Sequence, residues 1–259
     1  MKPIAGCVIY LLLFCGCNQA AKTLPPKTGA WSHDSTTHFT LHAQKGVRSE
    51  KNLAAIGKQL EQIQSELLRL LNEGTPRRLQ VYFLKDRETL TSYTGFPANG
   101  YTDTEKGVLY FVDKAPFHLA FRHEMMHALS WRLWGRPQGY WLSEGIAVFA
   151  AGNCGGYSLH ALAGAIQQKG KLVPFENLTD TFDFKAIEPS LQGASMVKYL
   201  YDRYGVAALK SIWKTGWQGV KPVTGVSPAE LQRRWLAFIG QPEYRTSVNW
   251  NNIAASGCE

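Results

Sequence analysis

His123 and His127 stand four residues apart with Glu124 beside the first of them, inside a run of helix formers that extends over about residues 117–134. On an α-helix that spacing turns both imidazoles to one face and sets the carboxylate next to them. The face must therefore pack against something that tolerates two ring nitrogens. A second segment offers a partner: residues 140–150 read Tyr-Trp-Leu-Ser-Glu-Gly-Ile-Ala-Val-Phe-Ala, and Glu144 is their only charge. A carboxylate inside so apolar a helix is costly to bury unless a cation or a metal meets it. Two nitrogens, one carboxylate oxygen and a fourth position left to water form the catalytic zinc arrangement. His123, His127 and Glu144 are thus candidate ligands for one zinc ion per chain. The competing reading pairs Glu144 with Arg122, Arg132 or Arg136 and leaves the histidines as packed core.

Around these motifs the hydrophobic pattern is mixed. Phe39, Leu41 and Ala43 alternate with polar residues and predict a strand over 38–44, followed by a helix over 47–72. Leu53, Ile56, Leu60, Ile63, Leu67 and Leu70 or Leu71 form its apolar face, and Gly74 and Pro76 close it. Residues 79–84 and 107–112 read as strands, with a short helical piece near 87–93 and a Gly- and Pro-rich loop between. Beyond Pro116 the chain is helical in character, over 117–134, 140–151, 158–169, 190–204, 206–215 and 227–239, and glycines and prolines punctuate the segments. This is an α+β pattern: a small N-terminal mixed sheet with helices over 36–114, an all-helical part over 115–245 that carries the histidine pair, and a tail over 246–259.

A chain of 259 residues, 45% of them hydrophobic, can bury a core without staples, so a metal site in it is functional rather than structural. Its 28 Lys and Arg against 20 Asp and Glu are spread from Lys22 to Arg245 without a dense run, which excludes a dedicated nucleic-acid module. The first residues read differently. Lys2, an apolar run from Val8 to Phe14 and the small-residue end at Gly16 form a secretory signal over 1–16. Leu13, Gly16 and Cys17 resemble the bacterial lipoprotein cleavage box, which implies a lipidated Cys17 as the mature N-terminus, a Pro25-Pro26 tether within 17–35 and a folded body over 36–259. That places the protein in the bacterial cell envelope, facing the periplasm and held to the membrane by lipid; without lipidation it is periplasmic or secreted. Cys154 and Cys258 then remain in an oxidising compartment, either bridged or as two thiols.

At His123-Glu124-Met125-Met126-His127 and Trp141-Leu142-Ser143-Glu144-Gly145 the chain resembles the gluzincin metallopeptidases, in particular the peptidase MA-like family and, more distantly, aminopeptidase N and thermolysin. Residues 192–200 with Arg203-Tyr204-Gly205 resemble the helix that follows in that family, and the match runs over about 79–240. The resemblance implies a zincin-like fold, zinc held by His123, His127 and Glu144, and Glu124 as the general base that activates a water against a peptide carbonyl. Two positions depart from the pattern. Ser190 stands where aminopeptidase N relatives carry the tyrosine that stabilises the oxyanion, leaving Tyr157, His160 and Tyr199 as substitutes to examine. Val148 stands where thermolysin has the aspartate that orients a histidine.

On the substrate side, residues 107–112 precede the histidine helix, and the corresponding gluzincin strand is a sheet edge beside the metal. An edge there would pair with an extended peptide or protein substrate; an interior strand would not. No Gly-x-Met-Glu-Asn segment is present to hold a substrate amine, which points to endopeptidase action. Trp131, Trp134 and Trp141 read as core, and His33, His38, His42 and His118 as surface or structural histidines. Ser190 also supports a second function, a lipoprotein scaffold or binding protein that keeps the gluzincin fold with impaired catalysis.

Overall fold

A computed structural model describes residues 31–74, 77–113, 118–180, 186–251 and 253. The signal, Cys17 and most of the tether lie outside these residues. Five strands form one sheet in the order β1-β2-β3-β5-β4, with β1 Trp31–Ser35, β2 Phe39–Gln44, β3 Leu79–Leu84, β4 Gly100–Asp103 and β5 Val108–Val112. The three central strands are parallel, and both edge strands run antiparallel to their neighbours. β1 thus takes residues 31–35, which the sequence pattern assigns to the tether, into the sheet. Alternation along the strands splits the apolar residues between two faces. Leu41, Val81, Phe83, Leu109 and Phe111 join the main core under helices α1 (Leu53–Leu71) and α3 (His118–Trp134). Tyr82, Leu84, Val108 and Tyr110 meet Trp31 and Leu90, the latter from helix α2 (Arg87–Thr94).

β5 is not an edge. It is paired with β3 on one side and β4 on the other, so among the described residues the edge belongs to β4, inside the segment that reads as a loop. The Val112 N–H donates to the Asn99 carbonyl, and antiparallel pairs alternate in their bonding. Along β4 the main-chain groups of Tyr101 and Asp103 therefore turn toward β5, and those of Gly100 and Thr102 turn to the open side.

The helical half continues with α4 (Tyr140–Ala151), α5 (Leu159–Gln168), α6 (Phe175–Asp180), α7 (Glu188–Thr215), α8 (Val220–Thr224) and α9 (Pro228–Ile239). Gly205, at φ 80° and ψ 171°, breaks the helical dihedrals inside α7 where the sequence predicts two helices. No helix among the described residues is long and apolar enough to cross a membrane.

α4 and α7 meet backbone to backbone. A Cβ on Gly145 would come 2.7 Å from the carbonyl carbon and oxygen of Gly193, and a Cβ on Gly193 would come 2.7 Å from the Trp141 carbonyl oxygen. Gly145 therefore opens α4 to α7. Because the obstructing atoms are main chain, no rotamer change relieves the clash, and Gly145→Ala is expected to cost about 1–3 kcal/mol, the range for overpacking a core. Chemical denaturation checks this, and a variant as stable as wild type would mean that the two helices separate freely.

Val148, Cys154, Leu159, Ile166 and Leu191 form a smaller cluster with Ile253, flanked by partly buried Val248 and Trp250. The segment after Arg245 is thus held by its own apolar residues, where the sequence suggests a loose tail. Cys154 is disulfide-bonded, and Cys258 lies outside the described residues.

His160 on α5 is buried, its Nδ1 2.9 Å from Ser195 Oγ, while the Trp235 indole N–H donates to the same oxygen at 3.1 Å. Phe238 and Tyr244 pack against its ring. Burial, helped by Lys198 and opposed by Asp202, pushes its pKa down from 6.5 to about 4. Between those values the unfolded chain binds a proton that the folded chain does not, so stability from this group is complete above 6.5 and is lost as pH falls toward 4. The full effect is about 3 kcal/mol at 1.36 kcal/mol per unit. His160→Asn should flatten the fall in unfolding free energy between pH 7 and pH 4.5; identical slopes in variant and wild type would refute this.

Candidate metal site

α3 contributes His123, Glu124 and His127, and α4 contributes Glu144. Ligand atoms of His123, His127 and Glu144 all lie within 4.8 Å of one another. The two Nε2 atoms are 3.1 Å apart, His123 Nε2 is 3.7 Å from Glu144 Oε2, and His127 Nε2 is 3.5 Å from Glu144 Oε1. A tetrahedral ion with bonds of about 2.1 Å would hold its donors about 3.4 Å apart, so the spacing fits a zinc-sized ion. Among the described residues, the basic side chains that meet the Glu144 carboxylate are these two histidines only. Arg122 instead bonds the Ala150 carbonyl and Glu66, and Arg132 bonds the carbonyls of Arg77 and Lys106.

The electrostatics also ask for a cation. Burial lowers the pKa of His123 and His127 to about 4; for His123 the neighbouring His127 adds to this and Glu144 opposes it. Burial likewise raises Glu144, against the pull of His123. Glu124 is raised to about 8 by burial, with the Thr102 hydrogen bond opposing and the Glu144 charge adding. At neutral pH the imidazoles thus keep their lone pairs, the form a metal needs. A divalent ion would supply the positive charge that the buried Glu124 and the half-buried Glu144 lack.

Two supporting residues are given no role by the sequence pattern. Ser143 Oγ lies 3.1 Å from His127 Nδ1 and accepts from the Trp131 indole N–H at 3.1 Å. With Nε2 turned to the cluster, Nδ1 carries the proton and donates to Ser143, which fixes ring and tautomer. Ser143 fills, for His127, the orienting role that Val148 cannot. The second is Thr102 on β4, whose hydroxyl is 2.6 Å from Glu124 Oε2 and 2.9 Å from the Glu124 carbonyl oxygen.

Other candidates are occupied elsewhere. His160 is tied to Ser195, Tyr199 packs on Phe238, and the Tyr157 hydroxyl accepts from the Asn249 N–H. Ser190 sits in the first turn of α7. Trp134 donates to Glu73, and Trp141 is fully buried and stacks on Trp217. His38 pairs with Glu61, and His33 meets His42 across the β1–β2 pair; the His118 side chain is outside the described set.

No protein-family model and no curated protein sequence matches the chain. Solved structures do. An M1 zinc metallopeptidase from Deinococcus radiodurans, crystallised as a glutamate-to-alanine mutant bound to a Tyr-Ser-Ala substrate, is similar at TM-score 0.53 and 16% identity, over 85% of this chain and 55% of that one. A second structure of an M1 zinc metallopeptidase from the same organism is similar at TM-score 0.51 and 16% identity, over 84% of this chain and 53% of that one. The likeness is one of fold, and the chain spans about half the length of those structures.

Proposed function

We propose that the protein is a zinc metallopeptidase that cleaves peptide bonds inside extended peptides or unfolded proteins. The observation that carries this is the His123, His127 and Glu144 donor set with the Glu124 carboxylate beside it, on a fold similar to that of M1 zinc metallopeptidases. Bound there, zinc supplies Lewis acidity, polarising a carbonyl and acidifying a water. The chain's own groups do the rest. Glu124 takes the proton of the attacking water and later gives it to the leaving amine. Ser143 holds the His127 ring in register. Along the open side of β4, the main-chain groups of Gly100 and Thr102 are positioned to pair with an extended peptide. An open strand edge admits chain on both sides of the cut, and the sequence lacks the acidic segment that would capture a free amine. Both favour internal cleavage.

The test is digestion of an unfolded protein by the zinc-loaded chain. Internal fragments that disappear with a chelator and return with added zinc are expected. Stoichiometric zinc with no cleavage of any unfolded protein or peptide library would overturn the reading in favour of a binding scaffold.

A further inference from the structure

We infer that Thr102 is a positioning residue for Glu124, working from the edge strand rather than from the helix that carries the base. This rests on the hydrolase reading above. The Thr102 hydroxyl lies within hydrogen-bond reach of both Oε2 and the carbonyl oxygen of Glu124, at 2.6 and 2.9 Å, and its one proton is donated along the shorter contact, to the carboxylate. Gly100 makes the approach possible. A Cβ there would fall 2.8 Å from Glu124 Oε1 and 3.0 Å from its Cγ. The carboxyl group is therefore wedged against two residues of β4, with Oε2 tethered to Thr102 and Oε1 against the bare backbone of Gly100.

The tether assigns different work to the two oxygens. Oε2 spends an acceptor site on Thr102, and Oε1 is left to take the proton from the attacking water, whose oxygen bonds to the carbonyl carbon. That proton then passes to the amine nitrogen as the carbon–nitrogen bond breaks, and the carboxylate is restored. A glutamate side chain without the tether has rotatable bonds that carry Oε1 off this line, and small misplacements of a reacting group are expensive in rate.

Thr102→Val removes the hydroxyl and keeps the shape, and the full zinc-loaded chain is the material to test. The variant should keep one zinc per chain, keep KM within about twofold and lose about 10- to 100-fold in kcat. Thr102→Ser, which restores the donor, should recover most of the loss, and Gly100→Ala should lower kcat in the same direction. A second readout needs neither metal nor substrate. In metal-free protein, infrared difference spectra against Glu124→Gln isolate the Glu124 carboxyl bands, which should shift in Thr102→Val and return in Thr102→Ser. Wild-type kcat with unshifted bands in Thr102→Val, or a loss that serine does not recover, overturns the inference. If wild-type protein cleaves nothing, the hydrolase reading fails on its own, while shifted bands would still establish the tether and unshifted bands would still remove it.

Discussion

Glu144→Gln should weaken zinc binding by well over a hundredfold and, in metal-free protein, raise stability. The two effects have one origin. Glu144 is the only carboxylate among the three donor groups, and losing a first ligand must exceed the 10- to 100-fold that outer partners of metal ligands typically contribute. Without metal the same carboxylate is a half-buried group whose ionised form is disfavoured, with only two neutral imidazoles as basic neighbours among the described residues. The neutral amide removes that penalty. Zinc competition against a chelator of known affinity measures the first effect, and thermal unfolding with and without zinc measures the second. Wild type should gain stability on adding zinc and the variant should not. A variant that binds zinc as wild type does would remove Glu144 from the donor set, and an arginine partner would have to be sought for it.

The elements that sequence pattern finds are those whose signal is local. The helix read over residues 140–151 matches α4 because a continuous apolar run with glycine on both sides leaves few alternatives. The strand over residues 79–84 matches β3 because a short run rich in apolar, β-branched and aromatic residues stands between charged ones, Arg78 and Lys85. The helix read from residue 47 instead begins as a 3-10 turn, Arg48–Asn52, before α1. Its first amides, on Arg48 and Ser49, bond to the carboxylate of Asp113, a residue more than sixty positions away. No window over that segment contains the cause. β1 and β4 are short, polar and at the sheet edges, so they lack the alternation that a half-buried strand displays.

The same division runs through the site. Glu144 stands out because a lone charge in an apolar helix is anomalous wherever it occurs. Ser143 lies inside the second motif and Trp131 four residues past the first, but neither carries such an anomaly, since serine and tryptophan are ordinary in a helix facing a core. Thr102 is twenty-two residues before Glu124 on a strand that pattern does not find. Gly145 is visible as a glycine, yet its partner is Gly193 on α7, a contact that only the packed fold defines. Local chemistry identifies the residues that would bind an ion; tertiary contacts identify those that aim them.

Glu124→Gln separates binding from chemistry. Glu124 lies outside the three-residue donor group, so its replacement should leave zinc at one per chain and leave unfolding with zinc at least as stable as wild type. An amide nearly matches the carboxyl group in shape, and the Thr102 hydroxyl can still donate to its oxygen, so the wedge against β4 persists. What disappears is the proton acceptor, because a neutral amide cannot take the proton of an attacking water. General base catalysis typically contributes about 10²- to 10⁴-fold, and a loss in kcat of that size is expected with KM little changed. Metal analysis together with steady-state cleavage of an unfolded protein decides the matter. Loss of zinc along with activity would mean that Glu124 belongs to the coordination shell, and full activity with zinc in place would transfer the base to another group.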